Sequence, residues 1–550
     1  MTRILAGARG SARSFDWAWA LMLLLLPITS LPLLSRLAGG TAVAPASILP
    51  LVWLVVWFVC FVFKKGTLPR ESIPFLGFVS AALVSCALAF FMEVPTFKAN
   101  SIVKTEAESL LTLGIGTAFY FVSAAWLSSC PERLNKALRL INLSGLILLS
   151  WAGIQAIYIL FFNSQYPDIL YKIQDIFATR QLFSGRVAGF AFEPSWLAHQ
   201  INLLFLPFWL AATVKGSSVH PFRLWKITLE NILLVLGLAI VLLSSRVGTL
   251  GILLVFAFLG IRWHVKLMGK LFRFLIRLMS LRGAFFATKQ SPKGQFGRFD
   301  RRLLRQRTAR NDTREQLPNH LHVKFFFLRK MMSGVIVSFV FIPLLFFYAG
   351  VVVGLIYVLS HFDWRFERLL DLSTIRAFIG DPLILSNWLV FGERFVYWLA
   401  GWRVFNDYPF FGVGLGNAGL YFQQALPAYG WSHPEVMDVY YRASAIPNIK
   451  SFWVRILAET GLVGFAMFVS WFYVLWRSGR MIENSGEPLL RTVGLAGQIV
   501  LVAFLAEGFS VDTFALPYLW VSLGLLSAAS ALFRRQMSEE TASGIADESK

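Results

Sequence analysis

The chain is divided into apolar blocks, each about as long as a bilayer's hydrocarbon core is thick. A helix needs about 20 predominantly apolar residues to cross that core. Blocks of this kind lie near 16–38, 46–63, 73–92, 108–128, 138–162, 195–214, 226–244, 247–262, 332–360, 451–476, 491–510 and 513–533. The apolar runs are continuous rather than alternating, which excludes a β-barrel and leaves α-helices as the only spanning structure. With 57% hydrophobic residues and a mean hydropathy of +0.63, the chain of 550 residues is too apolar for a soluble domain. The expected fold is an all-α polytopic membrane protein with about twelve spans. The first block has no convincing cleavage pattern after Leu37 and is read as a retained span.

Lys and Arg in the short loops orient such a protein. With the N-terminus and its Arg3, Arg9 and Arg13 in the cytoplasm, the basic groups Lys64, Lys65 and Arg70; Arg133, Lys136 and Arg139; Lys215, Arg223 and Lys226; Arg477 and Arg480; and Arg534 and Arg535 all fall inside. Both termini are then cytoplasmic. The expected organisation is eight spans over 1–261, a basic cytoplasmic insert over 262–331, a span over 332–360, a large outward loop over 361–450, three spans over 451–533, and a cytoplasmic tail over 534–550.

The net charge of +21 is concentrated in the insert. Residues 262–331 hold 18 Lys/Arg against three Asp/Glu, or +15 of the total. A basic segment placed between two spans is drawn to anionic lipid headgroups. Within it, 267–281 alternates apolar and basic residues at helical spacing, as an interfacial helix does, and 288–320 has the composition of a linker. Anionic membrane lipids are the expected partner, and nucleic acid is not. The three cysteines lie in or beside spans, so no disulfide framework is expected. No His/Cys cluster has metal-ligand spacing, and no phosphate-binding Gly loop followed by Lys-Ser/Thr occurs.

Ionisable residues gather at three places on the outward side. In Arg186-Val187-Ala188-Gly189-Phe190-Ala191-Phe192-Glu193-Pro194-Ser195, Pro194 suits a first helical turn and Glu193 sits where the helix dipole favours an acid. Glu193 is read either as a plain cap or as a partly desolvated carboxylate that moves a proton. Ser244-Ser245-Arg246-Val247-Gly248 joins two spans with almost no loop. Its Arg246 either snorkels to headgroups or turns inward to bind a phosphate.

The loop 361–450 is the third place. It carries Arg365, Arg368, Arg376, Arg394, Arg403, His433, Arg442 and Lys450 among many aromatic residues. Residues 388–406 form a plausible amphipathic helix stopped by Asp407-Tyr408-Pro409, and Gly412, Gly414 and Gly416 then allow a tight path. Arg groups grip phosphate oxygens, and aromatic faces stack on sugar rings, so the loop suits a glycan carried on a lipid phosphate. The plainer alternative is that most of the aromatics pack the loop on the membrane surface, and that His433 is structural.

Three stretches resemble the O-antigen polymerase/ligase family of bacterial envelope glycosyltransferases. They are Arg186 through Ala198 with its Glu-Pro-Ser; Ser245-Arg246-Val247-Gly248; and Arg394 through Asn417 followed by Leu457-Ala458-Glu459-Thr460-Gly461-Leu462-Val463-Gly464. The resemblance runs from about Leu111 to Phe533. Where many ligases carry a His-Asn pair before the last motif, this chain has Lys450 and Ser451, which favours a polymerase.

The resemblance implies a bacterial inner-membrane enzyme that uses no nucleotide sugar, no cofactor and no required metal. It would act outside the cytoplasmic membrane on glycans linked to undecaprenyl diphosphate. Such an enzyme transfers a growing glycan to the next lipid-linked repeat unit, or, as a ligase, to a lipid A core. A lipid-linked oligosaccharide is the expected substrate, and other polysaccharide assembly proteins are expected partners. On this reading Arg186, Arg246 and Arg394 meet the diphosphate with Lys450 or Arg442 assisting. Glu193 is the first choice of base and His433 the second. A lipid-linked saccharide flippase is the rival class, and it is disfavoured because the charges gather at span ends rather than mid-membrane.

Overall fold

Helices account for most of the chain that the computed structural model describes, namely residues 14–37, 44–98, 100–287, 392–442 and 446–548 and isolated positions between 346 and 376. Eleven of its helices carry the argument. They are α1 (Ile48–Phe63), α2 (Ser72–Ala89), α3 (Ile102–Ser128), α4 (Pro131–Phe161), α5 (Pro194–Lys215), α6 (Leu229–Ser244), α7 (Arg246–Ala287), α8 (Gly392–Asp407), α9 (Phe452–Glu483), α10 (Pro488–Glu507) and α11 (Pro517–Glu548). Among the described residues, seven are long and apolar enough to cross a membrane: α2, α3, α4, α5, the Arg246–Lys270 part of α7, α9 and α10. The 14–24 helix, α1 and α6 are apolar but shorter. The protein is thus an all-α membrane protein. The only strands described are a two-residue pair in the α5–α6 turn, Arg223–Leu224 against Ile227–Thr228. The expected span 332–360 and most of 288–391 lie outside the described residues.

The chain divides into two units, Met1–Arg262 with Glu393–Lys550, and Trp263–Gly392. The first contains the core. α11 packs on α3, α9 on α2 and α10, and α6 and α10 on α5. Fully buried aromatics lock the centre. Phe75 lies 4.4 Å from Trp471, centroid to centroid, Trp471 stacks on Trp520 at 5.9 Å, and Tyr120 meets Phe75 edge-on at 5.0 Å. Lipid is as apolar as these side chains, so packing contacts and buried hydrogen bonds hold helices together here more than any escape from water does.

Local sequence sets the helix ends. Pro131, Pro194 and Pro488 occupy first-turn positions, where a missing N–H costs nothing. Ser101 and Ser451 cap α3 and α9 by accepting Lys104 N and Val454 N, both at 3.4 Å. Gly216 ends α5 with φ 64°. α7 runs unbroken from Arg246 to Ala287, so the expected interfacial helix over 267–281 is a continuation of the preceding span.

Consecutive helices of the first unit run in alternate directions, and the turns collect at two ends. One end is basic. There Arg534 grips Glu71, which also accepts Ser478 Oγ at 2.5 Å, and Lys215 and Arg262 reach Glu483 at 2.7 and 2.8 Å. Arg139 donates to the Val219 carbonyl at 2.8 Å. The opposite end gathers the start of α3, residues 162–194, the 244–246 turn, residues 393–442 and 446–451, and the 507–513 turn.

Candidate functional site

At the opposite end, residues 409–416 and a break in α9 are built for each other. Gly461 interrupts α9 with φ 63° and ψ −167°. The break frees the carbonyls of Ala458 and Glu459, which accept Val413 N at 3.1 Å and Gly414 N at 3.0 Å. In return Leu462 N and Val463 N bond to Pro409 and Phe410 at 2.8 and 3.1 Å. Ser85 Oγ on α2 joins the same knot, reaching the carbonyls of Phe411 at 2.5 Å and Glu459 at 2.6 Å. Gly412, Gly414 and Gly416 all have positive φ, and a side chain on any of them would strike neighbouring atoms. The Gly-rich run therefore serves as a seat on α9 and α3. Asn417 completes it, donating to Glu106 at 2.8 Å and accepting from Thr105 at 2.6 Å.

Three of the sequence-predicted residues come together on this platform. α8 ends at Asp407, where the Asp-Tyr-Pro stop falls, and its first turn carries Arg394. Arg394 Nη1 and Trp398 Nε1 both point at the Lys450 carbonyl, each at 3.4 Å. Lys450 has φ 53°, a strained value for a side-chain-bearing residue, held by Asn448 Oδ1 accepting its N–H at 3.1 Å. Its ammonium pairs with Glu435 and lies 5.1 Å over the Tyr397 ring. The Tyr397 hydroxyl is buried and has no partner among the described residues. Glu193, from the start of α5, lies within electrostatic reach of both cations, as do Asp512 and Glu393.

This setting acts on the charges. Burial, with the neighbouring Arg394 charge adding to it, holds the Lys450 ammonium below its ordinary 10.5. Burial lowers Arg394 too, while Asp512, Glu193 and Glu393 pull it the other way. Two partly desolvated cations thus lie among four carboxylates, Glu193, Asp512, Glu393 and the Glu435 paired with Lys450, so basic and acidic groups meet at one place.

Glu193 occupies the N-cap position of α5, but its side chain makes no capping hydrogen bond, so the plain-cap reading is corrected. The carboxylate instead accepts Arg180 Nη1 at 2.8 Å and Ser195 Oγ at 3.3 Å. Arg180 itself lies over the Phe183 and Phe192 rings at 4.9 and 5.1 Å. A competing cation thus claims the Glu193 carboxylate in place of the helix amides.

The other predicted residues lie apart from this trio. Arg186 and Arg246 are exposed on neighbouring turns, joined by Val187 N to the Leu243 carbonyl at 3.0 Å. Gln155 fixes the first of these turns through Ala188 N, Gly189 N and the Gly189 carbonyl. α6 and α7 are separated by Ser245 alone, as the near-absent loop predicts. Arg442 is exposed and paired with Asp438 at 2.8 Å. His433 caps the short helix Pro434–Met437, and among the described residues its ring makes no hydrogen bond or ion pair. Arg365 and Arg368 lie outside the described residues.

A polar cavity of about 140 Å3 adjoins the cluster, lined by Ser109, Glu108, Asn448, Arg455 and Glu459 among others. Arg455 spans it, donating to Glu459 at 2.9 Å, to Ser109 at 3.1 Å and to the Asp512 carbonyl. Sequence reasoning singled out none of Asp512, Glu435, Arg180 or Arg455 as site residues. One signal was on the page: Asp512 lies in the polar break Glu507–Thr513 between two apolar blocks.

A further polar network lies beneath. His199 and Glu507 pair while fully buried, and Asn202 donates to Glu507 and to the Gly248 carbonyl, the latter at 2.7 Å. Asn202 sits in a π-helical stretch of α5, Ile201–Phe205, a distortion often found at functional sites. Among the described residues, no three His, Cys, Asp or Glu side chains converge as a metal-binding group. Compared with known proteins, the chain matches no family model and no curated sequence.

Proposed function

We propose that the protein is a bacterial inner-membrane glycosyltransferase. It moves a glycan from undecaprenyl diphosphate to the hydroxyl of a second lipid-linked saccharide, polymerising O-antigen or exopolysaccharide repeat units. The observation that carries the reading is the convergence of Glu193, Arg394 and Lys450 from three distant segments at one end of a helical membrane bundle. The reaction needs a cationic seat for a diphosphate leaving group and a carboxylate beside it. The twelve-span topology belongs to this reading, with that end outside the cytoplasm and the basic end inside.

In the proposed step the acceptor hydroxyl gives its proton to Glu193 while its oxygen bonds to the sugar C1. The C1–O bond to the diphosphate breaks, and the electron pair leaves on undecaprenyl diphosphate. Arg394 and Lys450 stabilise the charge that builds there. Arg180 and Ser195 orient the Glu193 carboxylate. Arg186 and Arg246, on their neighbouring turns, meet the lipid phosphates as the substrate enters.

Purified protein supplied with a defined undecaprenyl-diphosphate oligosaccharide tests the proposal. Longer lipid-linked glycan is the expected product, and Glu193→Gln lowers its rate by about 100-fold or more, the ordinary contribution of a positioned base. Movement across the bilayer without a new linkage would mean a flippase. Transfer only to a lipid A core would mean a ligase. Full activity in Glu193→Gln removes the base assignment.

A further inference from the structure

We propose that the basic end of the bundle carries a binding site for an anionic phospholipid, separate from the 262–331 insert and independent of any glycosyl-transfer activity. Residues 67–70, Met481 of α9 and the 531–542 stretch of α11 enclose an open groove of about 980 Å3. Its wall is apolar where Leu68, Met481, Phe533 and Met537 line it, and basic where Arg70, Arg534 and Arg535 do.

The arginines are arranged for different tasks. Arg534 is taken up by the buried carboxylate of Glu71, with Ser478 as a third partner. That pairing anchors α11 to the start of α2 and α9 and leaves the groove without an unmatched acid from Glu71. Arg535 is fixed at the rim, its Nη1 donating to the Ser128 carbonyl at 2.7 Å and its Nη2 to Thr67 Oγ1 at 3.4 Å. A guanidinium has five N–H donors, so this orientation leaves others to face a ligand. Arg70 is exposed on the facing loop. Thr67, Ser538 and Thr541 add hydroxyls to the lining, and Glu539 is its one acid.

The chemistry commits to an amphiphile with a phosphate head. With Arg534 matched by Glu71, Arg70 and Arg535 against Glu539 still leave the lining one positive charge in excess, beside the apolar wall of Leu68, Met481, Phe533 and Met537. A free phosphate ion would leave Leu68, Met481, Phe533 and Met537 facing water. A zwitterionic lipid would bring its own cation against Arg70 and Arg535. A phosphatidylglycerol-like lipid satisfies both walls, its phosphate between Arg70 and Arg535 and its chains along the apolar side.

The experiment compares lipid retention by the full-length protein from nanodiscs holding equal phosphatidylglycerol and phosphatidylcholine, read by native mass spectrometry. The expected result is selective retention of phosphatidylglycerol. The double variant Arg70→Gln/Arg535→Gln should lose roughly tenfold or more of it, the scale of two basic contacts at an anionic headgroup. Arg442→Gln, a basic residue at the opposite end, should lose none. Equal retention of both lipids by the unaltered protein overturns the proposal and requires no variant, so a double variant that fails to fold does not shelter it. Unchanged retention in a folded double variant overturns it too, as does full displacement of the lipid by inorganic phosphate at matched concentration.

Discussion

Replacing Gly461 by alanine tests whether the break in α9 is what seats the Gly-rich run. At φ 63° and ψ −167°, Gly461 occupies backbone space almost reserved for glycine, where another residue costs about 1–3 kcal/mol. A Cβ would also strike the Phe410 carbonyl, which is backbone and cannot swing aside. If alanine keeps the break, strain and displacement add. If α9 straightens, the four bonds exchanged with residues 409–414 are lost, each worth about 1 kcal/mol net, and the buried N–H of Val413 is orphaned, while Gly414 N keeps Ser85 Oγ at 3.1 Å. Both routes converge on a loss of about 3–4 kcal/mol, a large part of the roughly 5–15 kcal/mol that a folded domain holds. Gly114 of α3 is the control, because a Cβ there meets nothing within 4 Å and alanine should be neutral or gain about 0.5–1 kcal/mol. Unfolding in mixed micelles, followed by tryptophan fluorescence, gives the global value. Labelling of buried Cys86, whose sulfur takes Leu415 N at 3.4 Å, reports the loop locally in a background lacking Cys60 and Cys130. A Gly461→Ala protein within about 0.5 kcal/mol of the original, with Cys86 equally protected, would refute the reasoning.

Three further outcomes are expected. Lys450 binds an anion as a cation, so affinity for undecaprenyl diphosphate should start to fall as pH rises through a midpoint below 10.5, and Lys450→Met should flatten that fall; a midpoint at or above 10.5 contradicts the burial argument. Glu507→Leu strips a fully buried imidazole of its partner and should cost about 3–5 kcal/mol in the same unfolding assay, whereas a loss under about 1 kcal/mol would mean that the pair is not formed. Arg442→Ala removes an exposed i,i+4 pair and should change stability by less than about 1 kcal/mol while leaving diphosphate affinity intact, and Arg394→Ala should weaken that affinity by tenfold or more; equal effects would place the anion elsewhere.

Helices were legible in the sequence because lipid demands long apolar runs, but their ends were less so. α4 begins at Pro131, two turns before the apolar block near 138, because its first turns carry Glu132, Arg133 and Lys136 and hydropathy reports contact with lipid rather than helicity. Pro194 placed a helix start correctly, and Tyr408-Pro409 placed the end of α8. Side-chain direction was not legible, since Arg180 rather than the helix amides claims Glu193. The three glycines at 412–416 announced positive φ, yet their partner is a helix break some 45 residues away, which only tertiary packing reveals. Asp512 and Glu435 were passed over for the same reason: neither has a local pattern, and each acquires meaning from a distant cation.

The buried His199–Glu507 pair shows how such a site can be held on turns. Burying two ionisable groups is expensive, and a well-packed apolar pair would often be as stable. What an apolar pair would lack is direction. Asn202 touches Glu507 and the Gly248 carbonyl at once, so one network ties α5 to the start of α7 and the end of α10. Each of those elements carries a charged residue of that end close by in sequence: Glu193 six residues before His199, Arg246 two before Gly248, and Asp512 five after Glu507. The 507–513 turn is bound in addition to the cap of α9, through Phe452 N to the Gly508 carbonyl at 2.7 Å, one residue beyond Ser451 and two beyond Lys450. Polar contacts inside the bundle thus fix the spacing of charges at its end, which apolar packing alone, with its tolerance for repacking, would specify less sharply.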